Sequence, residues 1–204
     1  MGVCYIVGAA PTCTPFSPKA GDLVIAADGG RAALALMGIR PDLVVGDFDS
    51  SIAPDDLPIV RHPVQKDDTD TALAIEEGRA RGYTTFVLHG CTGGRADHSF
   101  GVVQTLLSVA KRGERAYLVG DGMVGTVVVN GSFPIRAEGK VSVFSLSERS
   151  EGVNILGLVY PLVNGVLTND HPLGVSNEGS GSDATVSVEK GALYILWEAE
   201  HAPV

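Results

Sequence analysis

Apolar and polar positions follow different patterns in the two halves of the 204-residue chain. Up to about residue 120, short runs rich in Val, Ile and Leu alternate with segments whose apolar residues recur at helical spacing. Repeated strand–helix alternation predicts right-handed crossovers and an α/β fold with a mostly parallel, doubly wound sheet. The predicted strands are residues 3–8, 23–27, 43–45, 59–61, 85–89 and 116–119, and the predicted helices are 31–37, 71–81 and 99–111.

The helical pattern disappears after residue 120. Polar and apolar residues alternate through 184–188, as in a half-buried strand, and Glu189-Lys190-Gly191 predicts a hairpin loop after it. The Gly-Ser repeat at 179–182 predicts a flexible loop. We therefore expect an α/β domain over residues 1–120 and a small antiparallel sandwich or barrel over 121–204. The strands predicted there are residues 126–129, 140–146, 153–160, 184–188 and 192–197.

Negative charge is concentrated in one segment. The formal net charge of −9 argues against broad binding to nucleic acids or anionic membranes, because phosphates attract basic surfaces. Residues 41–70 contain eight Asp against one Arg and one Lys, which gives a local charge of −6. Such a segment repels itself unless a cation binds there.

Cysteine usage and the first residues bear on the location of the protein. The three cysteines form no C-x-x-C pair, which favours a reducing environment. The first ten residues lack the basic start of a signal peptide, and no apolar run is long enough to span a bilayer. We therefore expect a cytoplasmic protein.

Acidic residues follow two of the predicted strands. Asp28-Gly29 comes directly after the second strand, and Asp47 and Asp49 come directly after the third. Ligands collect at the carboxyl ends of parallel strands, and side chains two residues apart in extended backbone point the same way. Mg²⁺ prefers a few carboxylate oxygens together with waters and substrate phosphates, so this pattern indicates a magnesium site. An acidic turn without a ligand is the competing interpretation.

The second predicted helix begins with another polar motif. Lys66, beside Asp67 and Asp68, can hold phosphate oxygens, while Thr69 and Asp70 serve a metal ion or its waters. Helix capping explains one or two of the acids without a ligand, but it does not explain the lysine.

The third predicted helix opens with Gly94-Arg95-Ala96-Asp97-His98. A helix N-terminus favours anions, and Arg95 can clamp a phosphate with its planar guanidinium group. The alternative is a Gly-rich turn in which Asp97 caps the helix.

Two nucleotide-binding motifs are ruled out. Residues 120–125 match G-x-G-x-x-G, but a predicted strand follows them where the dinucleotide motif requires a helix. The P-loop pattern G-x-x-x-x-G-K-[ST] is absent from the sequence. Any nucleotide is therefore held in another way.

Five short motifs occur in order along nearly the whole chain. They are Ala27-Asp28-Gly29-Gly30, Gly46-Asp47-Phe48-Asp49-Ser50, Lys66-Asp67-Asp68-Thr69-Asp70, Gly94-Arg95-Ala96-Asp97-His98 and Gly174-Val175-Ser176-Asn177-Glu178. This ordered set resembles the thiamine pyrophosphokinase family. The resemblance implies an N-terminal α/β domain, a C-terminal β-sandwich, and a homodimer with active sites between the subunits. It also implies that the thiamine hydroxyl attacks the β-phosphorus of ATP, which gives thiamine diphosphate and AMP.

The resemblance also implies roles for individual residues. The magnesium ligands would be Asp47, Asp49 and Asp70. The residues at ATP and its polyphosphate would be Asp28, Gly29, Lys66, Thr69, Gly94 and Arg95. Asp70, Arg95 and Asp97 would be the catalytic residues, with Asp97 positioning or deprotonating the hydroxyl. Thiamine would contact Ser176, Asn177 and Trp197, although Trp197 fits equally well as a core residue of the last strand.

Two other functions remain open. One is a metal-dependent phosphohydrolase that uses water as the nucleophile, and the other is a nucleotide- or cofactor-binding regulator without chemistry. The sequence also departs from the family after Ser176-Asn177-Glu178, where Gly179-Ser180-Gly181-Ser182 replaces the apolar or aromatic residue that often follows.

Overall fold

Strands outnumber helices in the part of this protein that the structure describes. The computed structural model describes residues 2–11, 13–46, 57–61 and 68–204. The chain divides into two units. The first comprises Met1–Thr105, Leu118–Asp121 and His201–Val204, and the second comprises Leu106–Tyr117 and Gly122–Glu200.

The first unit is built on parallel strands. The strands are β1 (Cys4–Val7), β2 (Leu23–Ala27), β3 (Leu43–Gly46), β4 (Ile59–Arg61) and β5 (Thr85–His89). They pair in the order β5-β1-β2-β3-β4. Because β2 to β4 are added on one side of β1 and β5 on the other, the winding reverses between β1 and β5. The helices in the described residues are α1 (Gly30–Leu36), α2 (Asp70–Ala80) and α3 (Ala96–Lys111), and strand β6 (Arg115–Gly120) follows α3. The division between the two units falls within α3 and within β6.

Local sequence explains where α2 and α3 begin. The Thr69 hydroxyl caps α2 by accepting the Ala72 N–H at 3.2 Å, and Asp70 in the first turn faces the positive end of the helix dipole. Helix α3 begins three residues earlier than predicted, because the carbonyl of Arg95 already accepts the N–H of Ser99 at 3.1 Å. Arg95 therefore lies at the start of the helix, where backbone N–H groups remain available to a ligand.

The second unit contains antiparallel pairs. Its strands lie in the order β10-β9-β11-β8-β12-β7. They are β7 (Met123–Val129), β8 (Ser132–Ser145), β9 (Arg149–Leu156), β10 (Leu162–Thr168), β11 (Asn177–Ser187) and β12 (Ala192–Glu198). The sequence pattern did not predict β10, because only one of its seven residues is buried and it lacks a regular apolar alternation.

Two local predictions for this unit are wrong. Residues 179–182 are part of β11 and not a flexible loop, and they pair with β8 through an irregularity between Ser180 and Asp183. A Cβ on Gly179 would lie 2.3 Å from the Ala137 oxygen, so close strand packing requires the glycine. The predicted hairpin at 189–191 is also wrong, because β8 lies between β11 and β12 and pairs with both.

The described chain is thus a mixed sheet with few helices. Strand β6 ends at Gly120 and β7 begins at Met123, which confirms that no helix follows the glycine motif at 120–125. The domain boundary at residue 120 and the β-sandwich stay predictions. Within the described ranges, no helix combines the length and apolar character needed to cross a membrane.

We expect Gly30→Ala to lower the free energy of unfolding, because a Cβ there would lie 1.8 Å from the Val7 oxygen and α1 would have to shift from β1. The expected loss is about 2 kcal/mol or more, which chemical denaturation would measure. Gly101→Ala is the matched control, since Gly101 lies in α3 with no described neighbour within 4 Å of the added carbon. That variant should gain about 0.5–1 kcal/mol from helix propensity. If both variants changed the free energy of unfolding equally, the close approach of Gly30 to the Val7 oxygen would be contradicted.

Candidate active site

A cleft of about 290 Å³ lies at the carboxyl ends of strands in the first unit. The winding reverses between β1 and β5, so the segments after these strands leave a crevice. Residues 8–11 after β1, Ala27-Asp28 at the end of β2 and Gly90-Cys91 after β5 line it. The starts of α2 and α3 complete it with Thr69, Asp70, Thr71, Gly94, Arg95, His98 and Val102.

Two glycines allow the segments after β1 and β5 to approach each other. The N–H of Gly8 donates to the carbonyl of His89, and the N–H of Ala10 donates to the carbonyl of Gly90, both at 2.8 Å. A Cβ on Gly8 would lie 2.6 Å from the Gly90 oxygen, and Gly90 has a φ of +60°. Larger residues do not fit, so bare backbone faces the cleft here.

Asp28 lies at this cleft in an uncommon conformation. Its φ is +51°, in the left-handed region that residues with a side chain rarely adopt. Its N–H donates to the Val45 carbonyl at 2.8 Å, which ties the turn to β3. Gly29 follows as the N-cap of α1, and a Cβ there would lie 3.0 Å from the Ala9 Cβ. Backbone strain of this kind is concentrated at functional sites, which supports a role for the Asp28 turn.

The cleft brings together three motifs that are remote in sequence. Asp28, the pair Thr69 and Asp70, and the pair Gly94 and Arg95 all line it. The Thr69 hydroxyl accepts the capping hydrogen bond from the Ala72 N–H. Because Thr69 lines the cleft, the N-terminus of α2 that it caps lies there too. Two carboxylates, one guanidinium group and two helix starts therefore surround one volume, as a metal-bound polyphosphate requires.

Arg95 and Asp97 form an exposed ion pair beside the cleft. The guanidinium Nε donates to Asp97 Oδ1 at 3.1 Å and Nη2 donates to Oδ2 at 2.6 Å. These hydrogen bonds, followed by the one from the His98 N–H, lower the pKa of Asp97 to about 2. Asp97 does not cap α3 in the way the competing interpretation required, since its side chain accepts only from the next residue's N–H and from Arg95.

Some predicted residues cannot be placed. Asp47, Asp49 and Lys66 lie outside the described residues. Within the part of the chain that the structure describes, no group of three or more His, Cys, Asp or Glu side chains could hold a metal ion. Asp28 and Asp70 are the carboxylates that the structure does place at the cleft.

Residues 174–177 of the Gly174–Glu178 motif line a different cleft, of about 320 Å³, in the second unit. A Cβ on Gly174 would lie 2.2 Å from the Val143 oxygen, so this position accepts only glycine. Ser176 has a φ of +58°, and its N–H donates to the Ser142 hydroxyl at 3.1 Å. Both residues hold the segment against β8, and Ser176 and Asn177 line the cleft.

Trp197 lies in the core of the second unit. Its side chain is 4% exposed in β12, and its ring centroid lies 5.5 Å from that of Phe133. This burial favours the core interpretation over a stacking partner for thiamine. Its substrate-binding role stays a prediction.

The sequence patterns missed several residues of both clefts. Residues 8–11 and Gly90-Cys91 became candidates only once β1 and β5 were known to be neighbours. In the second unit, Tyr160 lies in the turn before β10 and Leu162 is the first residue of β10, the strand that the pattern missed. A glycine at or directly after the end of a predicted parallel strand was the one available signal, since Gly8 ends the first predicted strand and Gly90 follows the fifth.

A crevice at the reversal point of a parallel sheet, lined by glycine backbone and helix starts, is typical of enzymes that bind nucleotides and other phosphate compounds. Residues 18–118 match the family model described as "Thiamin pyrophosphokinase, catalytic domain", and residues 134–193 match "Thiamin pyrophosphokinase, vitamin B1 binding domain". The chain is 30% identical over 184 residues to thiamine pyrophosphokinase of Bacillus subtilis (strain 168), covering 85% of this chain and 86% of that protein. The chain belongs to the thiamine pyrophosphokinase family and is an enzyme of that family.

Solved structures agree with this assignment. The crystal structure of thiamine pyrophosphokinase from Bacillus subtilis matches with a TM-score of 0.86 at 27% identity, covering 97% of this chain and 99% of that chain. The structure of the Geobacillus thermodenitrificans protein matches with a TM-score of 0.86 at 28% identity, covering 99% and 100%. Both chains therefore share nearly the full length of the fold.

We expect the Asp97 carboxyl to titrate with a pKa of about 2, which NMR of the side-chain carboxyl would measure. Arg95→Ala removes both hydrogen bonds and should raise the pKa towards the usual value of about 3.9. Arg149→Ala is the control, since it removes a similar exposed ion pair with Glu151 and should leave Asp97 unchanged. An ordinary pKa for Asp97 in the unaltered protein would show that the ion pair does not persist in solution.

Proposed function

We propose that this chain transfers the pyrophosphoryl group of ATP to the hydroxyl of thiamine, giving thiamine diphosphate and AMP. One observation carries the proposal: three motifs separated by more than twenty residues in sequence, at Asp28, Thr69-Asp70 and Gly94-Arg95, line one cleft. The family membership supports the identity of both substrates.

The ATP polyphosphate would lie against the helix starts. Gly94 leaves room for a phosphate beside the N-terminus of α3, and Arg95 can hold two oxygens with its planar group. Thr69 and Lys66 would hold the chain of phosphates from the α2 side. Asp28 and Gly29 would contact the nucleotide where the backbone of β1 and β5 opens the crevice.

Magnesium fits the chemistry of this donor set. Mg²⁺ is usually held by one or two carboxylates together with substrate phosphates and waters, and Asp28 and Asp70 place carboxylates at the cleft. The proposed ligands are Asp47, Asp49 and Asp70. When bound, the ion would neutralise charge on the polyphosphate oxygens. Arg95 would add a second positive charge from the protein.

The chemical step would be an in-line displacement. The thiamine hydroxyl oxygen forms a bond to the β-phosphorus, the bond from that phosphorus to the α–β bridging oxygen breaks, and AMP leaves. Asp97 would accept a hydrogen bond from the hydroxyl, position it and take up its proton as the bond to phosphorus forms. With its pKa near 2, Asp97 is a weak base while it is paired with Arg95, and it becomes a stronger one when Arg95 turns to phosphate.

Thiamine would be held by the second unit. Ser176 and Asn177 line the cleft there, and the vitamin B1 binding model covers that part of the chain. We propose a catalytic domain over residues 1–120 and a thiamine-binding, dimerising β-sandwich over 121–204. The active enzyme would be a homodimer with active sites at the subunit interface. A cytoplasmic location is consistent with the three free cysteines.

Product analysis tests the reaction. With Mg²⁺, ATP and thiamine, we expect AMP and thiamine diphosphate in equal amounts, quantified by chromatography, and no AMP without thiamine. A phosphohydrolase would instead release ADP or phosphate without thiamine, and a binding protein would release nothing. AMP formation that does not depend on thiamine would contradict the proposal.

Asp70→Asn tests the metal site. We expect turnover to fall by roughly 100-fold or more, because the variant loses a charged ligand. The free energy of unfolding should change by about 1 kcal/mol or less, because the position is at a partly exposed helix start. Asp68→Asn is the matched control, since Asp68 is an exposed acid two residues away that does not line the cleft. Equal activity of both variants would remove Asp70 from the site.

A further inference from the structure

The side chain of Asn177 is already occupied within the protein. It is 6% exposed, its Oδ1 accepts the N–H groups of Tyr160 at 3.0 Å and Glu178 at 2.8 Å, and its Nδ2 donates to the Tyr160 carbonyl at 2.7 Å. The N–H of Val159 also donates to the Glu178 carbonyl at 2.9 Å. Both polar atoms of the amide are therefore directed at backbone, and the pair of bonds to one residue fixes that residue's peptide groups.

What Asn177 holds is one wall of the 320 Å³ cleft. Tyr160, Pro161 and Leu162 line this cleft, and the Tyr160 side chain is 66% exposed although its backbone is clamped. An exposed aromatic ring on a fixed backbone is available to a ligand at low conformational cost. The Val159 backbone bond and the strand pairing of Leu162 with Ile155 hold this wall on either side, and the Asn177 clamp holds the backbone of Tyr160 between them.

The opposite wall is anchored independently. Leu173, Val175 and Ser176 line it, and Leu173 and Val175 are exposed. The Val143 N–H donates to the Gly174 carbonyl at 2.9 Å, and Ser142 accepts the Ser176 N–H, so β8 carries this wall. Asn177, the first residue of β11, thus ties the backbone of the Tyr160 wall directly to the segment that forms the other wall.

We propose that Asn177 is a positioning residue for the aromatic cation of the substrate. It acts through Tyr160 and does not contact the substrate itself. The inference rests on the proposed function, because thiamine supplies the planar cationic ring that an exposed aromatic wall attracts. Ser176 remains the polar contact of the motif.

Asn177→Asp tests the clamp with the smallest change of shape. The carboxylate keeps the acceptor but replaces the Nδ2 donor with an oxygen facing the Tyr160 carbonyl. We expect KM for thiamine to rise about tenfold at pH 7.5, with kcat and KM for ATP changed less than about twofold, as expected when a buried acceptor loses its donor.

Asn154→Asp is the matched control. Asn154 makes the same kind of clamp in the same unit, since Nδ2 donates to the Gly152 carbonyl at 3.2 Å and Oδ1 accepts the Asn164 N–H at 2.9 Å, but it does not line the cleft. Its KM for thiamine should stay unchanged. An equal rise in both variants would overturn the inference. Asn177→Ser serves if Asn177→Asp does not fold, and it should also raise KM for thiamine.

A double-mutant cycle separates positioning from direct contact. If Asn177 acts through Tyr160, adding Asn177→Asp to Tyr160→Ala should change KM for thiamine by less than about twofold. If the full tenfold factor persists in the Tyr160→Ala background, Asn177 contacts the substrate directly and the inference is wrong.

Amide hydrogen exchange provides a readout without substrate. The Tyr160 N–H donates to Asn177, so exchange of residues 157–162 in the ligand-free protein should be faster in Asn177→Asp and unchanged in Asn154→Asp. Unchanged exchange in Asn177→Asp overturns the clamp. Failure of the proposed function would appear separately, as a lack of thiamine-dependent AMP formation by the unaltered protein.

Discussion

The close approach of two backbone segments after β1 and β5 is the constraint on which the candidate active site depends. Gly8 and Gly90 carry no side chain where the segment after β1 donates two backbone hydrogen bonds to the end of β5 and the residue after it. Gly90 also takes a positive φ. A side chain at Gly8 would push the segments apart and fill the crevice. Because the winding reverses at this point, Asp28 after β2 and the starts of α2 and α3 can line the same cleft.

Charge is arranged around that volume by helix ends as much as by side chains. Asp70 sits in the first turn of α2, and Arg95 lies where α3 begins. Asp70 also stabilises the start of α2, whereas the positive charge of Arg95 at the start of α3 opposes the helix dipole and is balanced by the ion pair with Asp97. At the start of α2, capping and ligand binding are compatible, because Thr69 caps the helix and also lines the cleft.

The second unit shows how a binding motif also serves the fold. In the Gly174–Glu178 motif, glycine permits contact with Val143, and Ser176 bends the chain in a left-handed conformation. Asn177 bonds the backbone of the neighbouring turn. Each of these residues shapes the cleft, whether or not its side chain touches a ligand.

The sequence by itself determined the strands and helices of the first unit nearly residue for residue, because apolar periodicity and capping residues are local signals. It also identified the family through its ordered motifs. It missed β10, misjudged residues 179–182, and paired β11 with β12, because exposed edge strands carry little pattern and strand order depends on remote contacts. Only the tertiary structure decided that Asp28, Thr69, Asp70 and Arg95 share one cleft and that Asn177 points inward. Such convergence follows from the order in which strands pack, and no local pattern in the chain encodes that order.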